Sequence, residues 1–67
     1  MICTTELLDG GPSDGKRVPI TGATELHAPE VIVTHDGQKH RYVAAVGPIA
    51  DRWRRTGVAL YSWEGAL

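Results

Sequence analysis

The four residues His35-Asp36-Gly37-Gln38 constrain this chain more than any other stretch. They separate two β-prone runs, Val31-Ile32-Val33-Thr34 and Lys39-His40-Arg41-Tyr42-Val43-Ala44-Ala45-Val46. Asp and Gly both accept the positive φ of a type I′ turn, whose twist matches that of the strands it joins. With Asp36 and Gly37 as the loop, His35 faces Gln38, Val33 faces His40 and Val31 faces Tyr42. This register sets Val31, Val33 and Tyr42 on one face, where they can seed a core.

The remainder of the chain reads as further short strands. Ile2–Leu8 is rich in β-branched residues. Asp9-Gly10-Gly11-Pro12-Ser13-Asp14-Gly15 is a turn, with Gly supplying positive φ, Pro a fixed φ and Asp side-chain turns. Lys16–Ile20 is extended, and Pro19 confines it to an edge or an end. Thr21–Pro29 is expected to be a loop, a single helical turn being the alternative. Ile49–Thr56 is the one candidate helix, Ile49, Ala50 and Trp53 sharing a face with Arg52, Arg54 and Arg55 outward; a single turn packed on the sheet or an extended basic loop fits equally well. Val58–Trp63 is the last strand, Ala59, Tyr61 and Trp63 pointing one way and Val58, Leu60 and Ser62 the other. Glu64–Leu67 is expected to fray. The fold expected is all-β: one domain over residues 1–67, a small antiparallel sheet of about five short strands, as a meander or open barrel, with at most one short helical turn.

Size and composition bound what such a domain can do. A chain of 67 residues buries only about 60% of its unfolded surface, so its core is marginal. Phe is absent, and the single cysteine, Cys3, allows no internal disulfide and no common zinc finger. Good packing or docking on a partner, as a homo-oligomer or an assembly component, are the remaining routes to stability. Seven basic against eight acidic residues lack the strong positive field of a general nucleic-acid binder. The longest apolar stretch, Tyr42–Val46, is too short to span a membrane. The first residues lack the pattern of a signal peptide, so synthesis and retention in a cytoplasm are expected.

Several constellations invite chemistry and fall short of it. Gly10–Lys16 has the glycine and lysine spacing of a phosphate loop, but Arg17 stands where Ser or Thr should hold magnesium, and a strand-like run follows where a helix should open. His35 and His40 fall on opposite faces, which argues against a shared metal; surface positions are expected for the histidines, His27 among them. Ser13, Ser62 and Cys3 have no assembled base. No catalytic residue, cofactor or metal site is expected. Arg52-Trp53-Arg54-Arg55 is the most informative local feature, because Trp and Arg dominate interface hot spots. It is the candidate partner-binding patch, with Tyr61 and Trp63 next. The competing reading has Trp53 covering the sheet while the arginines are solvated, and places Tyr61 and Trp63 in the core.

The two ends carry a resemblance. Glu6-Leu7-Leu8-Asp9-Gly10-Gly11-Pro12-Ser13-Asp14-Gly15 and Tyr61-Ser62-Trp63-Glu64-Gly65 resemble small proteins of actinobacterial phages and prophages. In that group a Leu-Leu-Asp-Gly-Gly-Pro opening precedes a strand and a Tyr-x-Trp/Phe-x-Gly strand closes the chain. Arg41-Tyr42 resembles the Tyr-bearing strand between them. Most members carry no assigned function, so the resemblance implies origin more than activity. Small all-β phage proteins include minor capsid or decoration proteins and early-expressed modules that bind and inhibit a host or defence protein. A thin core and near-neutral charge suit the first: a virion structural protein, stabilised by the major capsid protein and by its lattice neighbours or its own copies.

Overall fold

In a computed structural model of the chain, which describes residues 3–24 and 29–67, Asp36 and Gly37 both take positive φ, 51° and 76°. The turn joins two strands, β3 (Glu30–His35) and β4 (Gln38–Ala44), in the register His35 to Gln38, Val33 to His40 and Val31 to Tyr42. The hairpin is the one expected from the Asp-Gly turn, and Val31, Val33 and Tyr42 share a face.

A second hairpin joins β1 (Cys3–Asp9) to β2 (Arg17–Thr24). Between them the chain makes a 3₁₀ turn, Gly11–Ser13. The last strand, β5 (Val58–Ala66), inserts between the hairpins, giving the order β2-β1-β5-β4-β3. It runs antiparallel to β4 but parallel to β1, with Thr5 beside Val58 and Leu8 beside Tyr61. The all-β, five-strand expectation therefore holds, while the sheet is mixed and not antiparallel throughout. It curves into a half-barrel. A seven-residue helix, α1 (Pro48–Arg54), connects β4 to β5; it makes about two turns where at most one was expected.

Two boundaries differ from expectation. Thr21–Thr24 continues β2 and is not loop, because Thr24 still pairs with Cys3. The rest of that segment, 25–28 with His27, and Ile2 at the start of the first strand lie outside the described residues. Residues 64–66 do not fray. Ala66 pairs with His40, the Leu67 amide donates to the Lys39 carbonyl (2.8 Å), and Gln38 Nε2 donates to the Leu67 carbonyl (2.7 Å).

Two irregularities of register decide which residues are buried. One lies at Thr4, between Cys3 and Thr5, where the amides of Thr4 and Thr5 both donate to the Gly57 carbonyl of the chain entering β5 (2.8 and 3.4 Å). An extra residue in a strand reverses the alternation of faces, so Cys3 and Leu8 both enter the inner face although they stand five apart. The other inserts Glu64 between the pairs Tyr42–Trp63 and Arg41–Gly65, and so places Ala66 on the inner face with His40. The inner face carries Cys3, Leu8, Tyr42, Ala59 and Tyr61, with Val31, Val33 and Ala44 packed at their margin. Every central strand contributes, and the two tyrosines fill the space that Phe would take elsewhere. Leu7, Val58 and Leu60 point to the outer face, toward α1.

Candidate protein-docking face

Helix α1 begins at Pro48, whose fixed φ suits a first helical position and whose missing amide costs nothing there. Asp51 stands in the first turn and Arg52 and Arg54 in the last, the signs that complement the helix dipole. A helix of seven residues persists only through packing. Ala50 supplies that contact and is buried, while Ile49 and Trp53 lean over the outer face of β1 and β5. The chain leaves α1 through two bonds to its last carbonyls: Thr56 Oγ1 donates to Trp53 (2.7 Å) and the Gly57 amide to Arg54 (3.0 Å).

Between helix and sheet lies a notch of about 160 Å³. Leu7, Leu8, Leu60, Ile49 and Trp53 supply its apolar lining, and Asp9, Asp14 and Gly15 complete it. Small-molecule pockets occupy roughly 300–1,000 Å³. This notch has room for about one side chain, and its lining combines leucines with two aspartates. The other side of the same face is basic. Arg52, Arg54 and Arg55 are exposed, and the Arg17 guanidinium lies over the Trp53 ring, 5.6 Å from its centroid. Arg54 is also bonded to Asp51 (3.1 Å). Two exposed apolar residues, Val46 and Ile49, stand just before and at the start of the helix.

Trp53 is therefore both cover and contact: half-buried over the sheet, with an edge still open at the notch. The structure does not bring Tyr61 and Trp63 to this face. Tyr61 is 1% exposed on the inner face, so its side chain belongs to the core and is not part of a contact surface. Burial pushes its hydroxyl pKa up to about 12, and the Glu6 carboxylate beside it, which accepts its hydrogen bond, acts in the same direction. Trp63 is 43% exposed and lies at the rim of the inner face, where its Nε1–H donates to His40 Nδ1 (3.2 Å). His40, expected at the surface, is 9% exposed. Its register opposite Val33 and the bulge at Glu64 draw it beneath Trp63. His35 sits at the hairpin tip against Asp36 (3.3 Å).

The glycine-rich turn is occupied with holding the fold together. Tyr42 Oη donates to the Gly10 carbonyl (2.8 Å) and accepts from the Ser13 amide (3.1 Å). The Gly10 amide donates to Asp14 Oδ1, the Gly15 amide to the Leu8 carbonyl and the Lys16 amide to the Ser13 carbonyl. Amides so committed cannot cradle a phosphate, which requires them to point outward together. Among the described residues no group of three or more His, Cys, Asp or Glu is placed to hold a metal, and no helix is long and apolar enough to cross a membrane.

Sequence reasoning missed Arg17, Asp9 and Asp14 as parts of this face. Arg17 faces Leu7 across the first hairpin, but only the docking of α1 reveals which side of that hairpin becomes a surface. No family model, curated protein or solved structure matches the chain.

Proposed function

We propose that the chain is a non-enzymatic protein-docking module, and that its partner is the major capsid protein of a phage virion, which it decorates from outside. The observation that carries the docking reading is the outer face of α1. There a tryptophan edge, a set of exposed arginines and a notch sized for one side chain lie together. Trp and Arg are the residue types that anchor interfaces.

The capsid as partner rests on the resemblance of the two ends to phage proteins. The motifs that carry it, Leu7–Gly15 and Tyr61–Gly65, pack on one another and maintain the fold. Helix α1 lies outside both and is free to face a partner. A marginal core gains stability by mass action when the folded form alone is bound, and a repeated surface multiplies weak contacts.

The test is quantitative mass spectrometry of gradient-purified particles, with the wild-type chain and an Arg52→Glu/Arg55→Glu variant. Both arginines are exposed, so charge reversal is expected to leave the fold intact. A fixed ratio to the major capsid protein, lost in the variant, supports the reading. A chain abundant in infected-cell lysate and absent from particles overturns the capsid assignment and points to a host target.

A further inference from the structure

The sheet has two outer strands, and the chain treats them differently. Strand β2 carries Pro19 and Arg17, and its pairing with β1 is irregular. Proline, charge and bulges are the usual devices that stop an edge from recruiting another strand. Strand β3 has no proline, no lysine and an unbroken register with β4. Its sequence, Glu30-Val31-Ile32-Val33-Thr34-His35, is dominated by β-branched residues, and Ile32 is 43% exposed. Among the described residues no strand pairs with its outer side.

The phase of the ladder says which groups lie along that edge. The Ala44 amide donates to the Pro29 carbonyl (3.0 Å), which makes residues 29 and 44 a hydrogen-bonded pair. Hydrogen-bonded and non-bonded pairs alternate in an antiparallel ladder. Val31, Val33 and His35 therefore spend their backbone groups on β4, and Glu30, Ile32 and Thr34 direct theirs outward.

We propose that this edge is a self-association surface, at which β3 pairs antiparallel with β3 of a second copy about a two-fold axis through Ile32. In that register Ile32 faces Ile32 of the copy and Glu30 faces Thr34. All outward amides and carbonyls of these residues then meet one another. Faces also match: Val31 comes opposite Val33 of the copy on the inner side, extending the apolar margin of the core, and the two Ile32 side chains meet on the outer side. No like charges face each other. A two-fold interface requires this kind of self-complementarity. The result is a continuous ten-strand sheet, twice the five strands of one copy. This pairing uses an edge remote in the sheet order from α1, and it stands independently of the capsid reading.

The test is sedimentation velocity of the full chain over a concentration series, together with three substitutions at one position. The wild type is expected to form a dimer that dissociates on dilution. Ile32→Pro removes an outward amide and none of the ladder to β4. Ile32→Lys sets two charges opposite each other without touching the backbone. Either is expected to weaken the dimer by about tenfold or more, with circular dichroism confirming a folded chain. Ile32→Cys is expected to cross-link to itself under mild oxidation, because its copy lies directly opposite. Thr34→Cys is not, because its opposite number is Glu30. Cys3 is buried and offers no competing thiol. A monomer at every concentration overturns the proposal. So does a dimer indifferent to Ile32→Lys, or equal cross-linking at positions 32 and 34. The Arg52→Glu/Arg55→Glu variant should dimerise normally, which separates failure here from failure of capsid attachment.

Discussion

Gly11 lies flat against the indole of Trp63. A Cβ placed on Gly11 would stand 2.5 Å from Cγ of that ring and under 3 Å from two of its neighbours, and Gly11 holds φ at +66°. Both the space and the backbone conformation thus demand glycine. Gly11→Ala is expected to destabilise the fold by about 3 kcal/mol, part from the left-handed backbone and part from overpacking. Urea denaturation measures it. In the double variant Gly11→Ala/Trp63→Ala the steric part should vanish, so the two losses should add to less than their sum. Full additivity would mean that the ring and the glycine do not share a contact.

That contact also explains why two motifs from opposite ends of the sequence go together. Leu7–Gly15 is the turn and Tyr61–Gly65 is the strand that it covers. The central hairpin was legible because its information is local: the Asp36–Gly37 turn alone sets the register from His35 to Val31. The parallel pairing of β1 with β5 was not, since strands more than 50 residues apart meet only after both hairpins exist. The bulges at Thr4 and Glu64 have no sequence marker either, yet they decide that Cys3 and Leu8 share a face and that His40 is buried. On α1 the apolar positions were readable from helical spacing. Arg17, Asp9 and Asp14 were not readable as its neighbours, because nothing in strand periodicity tells which face a helix will cover.

Tyr42 joins the second half of the sheet to the turn of the first. Its hydroxyl holds the Gly10 carbonyl and the Ser13 amide at once. Tyr42→Phe keeps the buried ring and leaves both backbone groups without that partner. The expected loss is about 1–3 kcal/mol. Hydrogen exchange discriminates this from a general loosening: the Ser13 amide should exchange markedly faster, while amides of the β3–β4 ladder change only as far as global stability does.

Tyr61 predicts a pH dependence on the alkaline side. An unfolded tyrosine loses its proton near 10, whereas burial and the neighbouring Glu6 carboxylate push the folded group up to about 12. Between these values the folded chain holds more protons than the unfolded chain, so stability falls as pH rises. The contribution is fully present below pH 10 and is lost as pH rises through 12. Its size is ~2 kcal/mol. Urea midpoints measured at pH 9 and 11.5 should diverge more for the wild type than for Tyr61→Phe, since the remaining ionisable groups are common to both. Equal slopes would mean that neither burial nor the Glu6 carboxylate raises the pKa of the Tyr61 hydroxyl in the folded chain.

Trp53 and Arg54 are adjacent on α1 and should separate stability from contact. Trp53 covers Leu7 and Leu60 and carries the Arg17 guanidinium on its ring. Trp53→Ala therefore removes packing, and a half-buried indole is expected to contribute about 2 kcal/mol. Arg17→Ala should lose a smaller share, roughly 0.5–1 kcal/mol, if the stacked cation acts through the ring. Arg54 makes one exposed bond, to Asp51 at 3.1 Å, a kind of pair that contributes little. Arg54→Ala should leave the urea midpoint within error and yet weaken attachment to particles. Should Arg54→Ala bind particles as the wild type does while Arg52→Glu/Arg55→Glu does not, the contact lies on the far side of the helix from the Asp51 pair. Should none of these variants change attachment, α1 is a structural cover alone and the docking face is elsewhere.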